Sequence, residues 1–450
     1  MSEREVGAGG DALASYLSRR LLVTGALADV AAIARAPEVA AKRCRRGQRQ
    51  GRKCRPTPTG SGAKRPFPQH LNYGAVHPSR WNQAALDDHV RAAYDRWKAR
   101  YLVAVGKASN NTPLYRVAFA KPEDDGHSVT VSEGQGFGMV IVAHMAGHDR
   151  DARQIFDGLW RFSRSHPSTI DARLMAWKVP GGNDSAFDGD CDMALGLLLA
   201  DAQWGSEGDV NYLADFTKLS AGIAASTLGP RSKLPLLGDW VRPNGEEYNQ
   251  DSPRTSDFML GHFQAFARAS GDPLWDDVRS ACGGAIDTLQ DTYSSQTGLL
   301  PDFAEPRSAT DRRPQPATPG FLEGKYDGDY FYNAGRVPWR LGVHALVDGD
   351  NATAERVLKI SRWAAGVTNG NARAFRSGYH LDGTPLANSN YFSTFFVAPL
   401  GVAAMLDRDA QAWLDAIYAA IYDVSDNYYE DSVTLLCLLA ITGNFWHPGA

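Results

Sequence analysis

The sequence predicts an all-α fold: twelve helices in antiparallel pairs, six hairpins closing into a ring. Three observations carry this prediction. Apolar residues recur at spacings of three and four along most of the chain after residue 67. Strand-type alternation is nearly missing from the same stretch. Several helical segments, 435–441 above all, are apolar on every side, as an inner ring enclosed by an outer one requires. Long connections carrying Trp, Asp and Glu then gather at one face of the ring.

Pro78-Ser79 opens the first helix, whose apolar side runs through Trp81, Leu86, Val90, Trp97 and Tyr101. A strand-like pair follows at 115–119 and 129–131, with Asp124-Asp125-Gly126 as its turn. Helices come next near 133–147 and 152–165. In the segment 190–204, Met193, Leu197, Ala200 and Trp204 share one face at spacings of four, three and four. The remaining helices fall at 209–227, 256–269, 273–293, 335–348, 352–368, 394–407, 409–422 and 430–442. Ser256 starts one of them, and Gly271-Asp272-Pro273 separates it from the next.

At 450 residues the chain has room for one large domain or two to three smaller ones. It is 43% apolar and 10% aromatic, with eleven Trp and seventeen Tyr, a supply of flat rings that suits carbohydrate. The net charge of −4 conceals two unlike regions. Residues 1–66 hold fourteen Lys/Arg against five Asp/Glu, whereas the remainder stands at −13. An acidic body argues against nucleic acid as a partner and suits a neutral or cationic substrate. Cys44 and Cys54 lie in the basic region, while Cys191, Cys282 and Cys437 sit in apolar helical runs and read as buried free thiols. No CxxC pair or Cys/His ligand spacing is present.

Ser18-Arg19-Arg20-Leu21-Leu22, the apolar run to Ala36 and the small residues at its end resemble a twin-arginine export signal. That run is too short and too polar to span a membrane stably. Residues 42–65 carry ten Lys/Arg and no acid, the composition of a solvated linker. The expected organisation is an export signal at 1–36, a basic linker at 37–66 and a folded body at 67–450, secreted from the cell.

Two segments concentrate carboxylates at helix starts. Ser132-Glu133-Gly134-Gln135-Gly136-Phe137-Gly138-Met139 sets one acid among glycines, which let the backbone lining a ligand come close. The helix dipole lowers the pKa of such a Glu, and burial among aromatics raises it. Ala186-Phe187-Asp188-Gly189-Asp190-Cys191-Asp192 packs three carboxylates into five residues, more than one helix cap requires. They read either as a cap with solvated neighbours or as a set that grips sugar hydroxyls. Carboxylates beside aromatic rings are the equipment for cutting sugar chains: one acid protonates the leaving oxygen, another base activates water. A third segment, 321–340, includes Phe321-Leu322-Glu323 and Tyr332-Asn333-Ala334-Gly335-Arg336, after a long loop rich in Pro, Arg and Thr.

These three segments, in this order, resemble glycoside hydrolase family 8, and the resemblance runs from about residue 78 to 446. Ser132–Met139 is similar to the family's proton-donor segment. Residues 186–204 are similar to its signature helix, with Phe187 and Gly196 as departures. Residues 332–340 are similar to its third segment, and 427–444 to its C-terminal region. The resemblance implies an (α/α)6 barrel, inversion at the anomeric carbon and endo-cleavage of a β-1,4-linked polysaccharide lying in an open groove. It makes Glu133 the general acid and gives Asp188 the distorted sugar.

The departure of consequence is Asn333, where many members carry the base Asp. A subgroup with Asn there takes its base from a Glu in the preceding loop, which implies Glu323, with Glu305 as the rival. The resemblance also points to Trp177 and Trp240 as sugar platforms, to Tyr332, Arg336 and Tyr391 around base and water, and to Asp190 and Asn333 as substrate contacts. Chitosan and β-glucan stay open as substrates, with xylan behind. A monomer needing no metal or organic cofactor, with no nucleic acid partner and no membrane insertion, is expected. The alternative is a non-catalytic sugar binder on the same scaffold, in which Asn333 marks a lost activity.

Overall fold

The computed structural model describes residues 62–108 and 111–449. The expected export signal, Cys44, Cys54 and most of the expected basic linker lie outside the described residues. The linker's last residues are described and are seated on the body. Lys64 and Arg65 donate backbone N–H groups to Gln203, and the Arg65 guanidinium lies 4.7 Å over the Trp446 ring. The packed body therefore starts ahead of Phe67.

Twelve α-helices form among the described residues: α1 Gln83–Tyr101, α2 Ser132–His144, α3 Ala152–Arg164, α4 Phe187–Trp204, α5 Tyr212–Ser226, α6 Leu260–Ser270, α7 Leu274–Tyr293, α8 Val337–Asp348, α9 Asn351–Val367, α10 Thr394–Ala404, α11 Gln411–Ile421 and α12 Tyr428–Ile441. The even-numbered helices pack in cyclic order, α2 on α4, α4 on α6, and so round until α12 closes on α2. Each odd-numbered helix lies outside against an inner neighbour. This is an (α/α)6 barrel. Every residue of α2 and α10 is buried, as the all-round apolar pattern requires, while α1 and α9 bury one stripe.

Local signals fix the ends. Asn82, Asn211, Asp350, Ser393 and Asn427 cap α1, α5, α9, α10 and α12 through side-chain oxygens. Gly271 and Gly349 end α6 and α8 in the left-handed conformation that glycine alone adopts without cost.

The expected strand pair is rearranged. β2 (Pro113–Val117) pairs with β1 (Leu102–Lys107), and β3 (Thr130–Val131) pairs with β4 (Lys178–Val179). Between Phe119 and Val129 a single backbone hydrogen bond remains, and the expected turn is a short 3-10 stretch at Asp125–Ser128. The reason is proximity: α1 runs straight into β1, which presents a longer edge to β2. The loop after residue 300 also folds, as a hairpin of β5 (Ala304–Pro306) and β6 (Pro314–Pro316).

The approach of α2 to α4 depends on missing side chains. A Cβ on Gly136 would stand 2.6 Å from the Asp192 Cβ, and one on Gly189 would stand 2.5 Å from the Ser132 carbonyl carbon. Both clashes involve groups that cannot swing away. Gly189→Ala is therefore expected to cost about 3 kcal/mol or more, since overpacking here must push the two helix backbones apart. A thermal melt checks this, and an unchanged melting temperature contradicts the close approach.

Candidate active site

All six inner helices begin at the same mouth of the ring. Arg336, in the 3-10 turn Ala334–Arg336 that leads into α8, ties four of them together. Its Nη1 donates to Glu133 Oε2 at the start of α2 and, at 2.7 Å, to Asp188 Oδ2 in the first turn of α4. Its Nη2 donates to Ser256 Oγ ahead of α6 at 2.9 Å and to Asn333 Oδ1 at 3.1 Å. Tyr428, at the start of α12, brings its hydroxyl to 3.5 Å from Glu133 Oε1. Gly134 makes this possible, because a Cβ there would stand 2.6 Å from the Tyr428 oxygen. Thr394 on α10 reaches Glu430 on α12 at 3.3 Å.

A second guanidinium extends the network. Arg254 lies 3.8 Å from Asp188 Oδ2, 3.5 Å from Asp257 Oδ2 and 3.4 Å from Glu323 Oε1. The result is an alternating chain of charge, Glu133–Arg336–Asp188–Arg254–Glu323. Glu133 is 3% exposed and Glu323 8%, so the chain is all but closed to solvent. Such a set of carboxylates is tolerated only because cations and donors sit between them.

Glu323 stands on a loop, and three groups hold it. Asn333 Nδ2 donates to its Oε2 at 3.0 Å. Asp327 accepts the backbone N–H groups of Leu322, Glu323 and Gly324 at 2.7–3.1 Å. Phe321 anchors the loop in an apolar cluster with Leu236, Leu237, Val241, Phe303 and Ala317, and Trp240 and Tyr248 pack on it. Burial pushes the Asp327 carboxyl up to about 6 against those three N–H donors. Asp302 secures the other side, its Oδ1 accepting from the N–H groups of Phe331, Asn333 and Ala334. Burial raises the Asp302 carboxyl well above the usual carboxylate range.

Residues 79–443 match the family described as glycosyl hydrolases family 8. The chain belongs to that family. A β-glucanase of Niallia circulans is 38% identical over 391 residues, spanning 85% of this chain and 91% of its own length. An endoglucanase of a Bacillus species is 35% identical over 398 residues, spanning 85% and 82%. The apo structure of a β-1,3-1,4-glucanase from Paenibacillus sp. X4 superimposes with a TM-score of 0.79 at 37% identity, covering 86% of this chain and 100% of that one. A reducing-end-xylose-releasing exo-oligoxylanase shares the fold at 20% identity and a TM-score of 0.65, covering 81% and 94%.

This family 8 member is a glycoside hydrolase, and its barrel brings most of the singled-out residues to one place. Glu133, Asp188, Glu323, Asn333 and Arg336 meet directly. Trp177 is half-buried beside them: its carbonyl accepts the Ser132 N–H at 2.8 Å, next to Glu133. Trp240, also half-buried, packs edge-on against Tyr248 within the cluster that carries the Glu323 loop. Tyr332 is fully buried, stacks on Phe395 and shares a 3.0 Å hydrogen bond between hydroxyls with Tyr391, which is half-buried. Glu305 lies apart on β5, where Gln315 donates to it at 3.3 Å.

The three aspartates of α4 have separate partners and do not act as one set. All are buried, so they are not solvated neighbours of a cap. Only Asp188 joins Arg336. Asp190 is enclosed beneath the 166–176 loop, where it accepts the Met175 N–H at 3.0 Å; it braces the segment leading to Trp177 rather than facing sugar. Asp192, one turn deeper, pairs with Arg340 and His262. Cys191, Cys282 and Cys437 are free and buried, and burial pushes all three thiols up.

The hydrolase site also contains residues that the sequence did not single out: Arg254, Asp257, Asp302, Asp327 and Tyr428. Ser256-Asp257 had shown only as a helix start. Asp302 and Asp327 act on backbone N–H groups, so no side-chain spacing announces them.

Two expectations follow from this geometry. Asp327→Ala frees three N–H groups of the Glu323 loop and should lower turnover about 10-fold to 100-fold through misplacement of Glu323. Unaltered turnover in steady-state assays counts against that bracing role. Glu430, 4% exposed, is pushed by burial from 4.5 up to about 8. The folded state thus keeps a proton that the unfolded chain releases, and stability falls as pH rises between those two values. In Glu430→Gln this loss is absent, so the melting-temperature gap, variant minus parent, should widen by a few degrees across that window.

Proposed function

We propose that this hydrolase cuts β-linked glucan within the chain, by single displacement with inversion. The observation that carries the reading is the alternating chain that places Glu133 at one end and Glu323 at the other, with Asp188 between. Glu133 donates a proton to the glycosidic oxygen. Glu323 takes one from water on the opposite face of the ring. Inverting pairs stand about 6.5–9.5 Å apart so that this water fits. Here Arg336 and Asn333 are interposed between the two acids. Asp188, in the middle, holds the sugar under attack, and Trp177 and Trp240 serve as stacking platforms.

The charge pattern makes a demand on the mechanism. A guanidinium on a carboxylate favours the ionised form, whereas donation needs the acid. Sugar entering over Asp188 must therefore loosen the Arg336–Glu133 pair, leaving Glu133 to carry its proton. Glu323 faces donors, Asn333 Nδ2 and the Arg254 guanidinium, which is what an ionised base accepts.

The names of the relatives favour glucan over chitosan: the two sequences above 30% identity are called β-glucanase and endoglucanase, and the structure at 37% is called a β-1,3-1,4-glucanase. We further infer a secreted monomer, exported through the Arg19-Arg20 segment. Reducing-sugar release from lichenan, carboxymethylcellulose and chitosan, with NMR of the first-formed anomer, tests the reading. Lichenan should be cut fastest, giving the α-anomer first. Glu133→Gln and Glu323→Gln should each lose about 10²–10⁴-fold in turnover, the span of general acid–base catalysis, while still binding glucan. Glu305→Gln should keep turnover. Activity that survives Glu323→Gln but not Glu305→Gln transfers the base role, and preference for chitosan overturns the substrate.

A further inference from the structure

We propose that Arg254 is the positioning residue for the catalytic base, setting Glu323 in register with the carboxylate that holds the sugar. The inference rests on the reading of Glu323 as base and adds to it the residue that makes that base work.

Arg254 is 4% exposed and spans the two halves of the site. One arm, Nη1, faces Asp188 on α4 and Asp257 in its own turn; the other, Nη2, faces Glu323 on the base loop. The guanidinium carbon lies 5.3 Å over the Phe303 ring, so its flat face is fixed by packing and its edge is left for the carboxylates. The backbone is fixed as well. Arg254 bridges to Phe303, Thr255 N–H donates to the Asp302 carbonyl at 3.1 Å, and Ala304 N–H donates to the Pro253 carbonyl at 2.9 Å. Phe303 and Phe321, its ring neighbour at 5.8 Å, belong to the apolar cluster under the Glu323 loop. Arg254 is thus packed against the same wall that carries the base.

The need for such a residue follows from the fold. Glu133 and Asp188 ride on inner helices, whose packing sets their positions. Glu323 does not: it belongs to a loop, and one Asn side chain and a set of backbone bonds cannot by themselves register it against Asp188. A planar two-armed cation can, because it has fixed geometry and binds a carboxylate on each side. The other charged groups around it are Arg336 across Asp188, with Asp302 and Asp327 behind Glu323. Without Arg254, Arg336 stays on Asp188, and the guanidinium that joins Asp188 to Glu323 is gone.

The experiment compares Arg254→Gln and Arg254→Lys with Glu323→Gln and with the double variant Arg254→Gln/Glu323→Gln, using lichenan. Arg254→Gln should lower kcat about 100-fold, in the range of lost general-base catalysis, with KM within about threefold. A loss confined to kcat, with KM held, separates misplacement of the base from weakened sugar binding. Arg254→Lys keeps the charge without the two-armed reach and should sit near a tenfold loss. In the Glu323→Gln background, Arg254→Gln should cost little more, since the two act as a unit.

An equal loss with and without Glu323 overturns the inference, as does a rise in KM at constant kcat. Should Arg254→Gln fail to fold, the Lys variant decides: parental kcat refutes the positioning role. If Glu323→Gln itself turns over like the parent, the base assignment has failed. If it is inactive and both Arg254 variants behave as the parent, Arg254 alone was misread.

Discussion

Burial of like charge is the constraint around which this site is built. Glu133, Asp188 and Glu323 are each less than a tenth exposed, and they face one small volume. Carboxylates in that position must be paired or protonated, because an isolated buried charge costs more than a fold can offset. The protein pairs them by placing Arg336 between the first two and Arg254 between the last two. Asp188 is the shared partner, which explains why it sits at the middle of the mouth. The six inner helices add a further term, because each presents its N-terminal end to this mouth, where the dipole favours anions.

The same logic continues inward. Asp188 and Asp192 are one turn apart on α4, and Arg336, Arg340, His344 and Asp348 follow one another at intervals of four into and along α8. Arg340 forks onto Asp192, with His262 on the same carboxylate. Burial pushes His262 down to about 4, so it stays neutral there. Farther down, His344 and His447 both bond Asp348, whose carboxyl they hold low against the effect of burial. A polar seam thus runs between α4 and α8 through an otherwise apolar ring. It registers the two helices that carry Asp188 and Arg336, since sliding either by one turn would leave several buried charges unmatched.

Loops finish what the helices begin. Trp177 comes to Glu133 through the β3–β4 pairing, and the segment before it is braced by Asp190 from below. Glu323 comes to Asn333 through Asp327, Asp302 and the cluster around Phe321. Division of labour follows: inner helices carry Glu133 and Asp188, and a separately anchored loop carries Glu323.

The amino-acid order alone determined the helical class, the inner-ring pattern of 435–441, and the two helix starts that bear Glu133 and Asp188. These are local matters of period, capping and composition, readable within twenty residues. It pointed to Glu323, with Glu305 as the rival, only through a family resemblance, and it treated Asp188, Asp190 and Asp192 as one set. Tertiary structure separated the three aspartates and put Glu323, not Glu305, beside Asn333 and Arg254. Which face of α4 meets Arg336, which meets the 166–176 loop and which meets Arg340 depends on packing against segments 15 to 148 residues away. Arg254, Asp302 and Asp327 left no sequence signal, because their partners are backbone groups and carboxylates from remote segments. Only the closed barrel, which cannot bury a charge without a counter-charge, brings those residues to a common mouth.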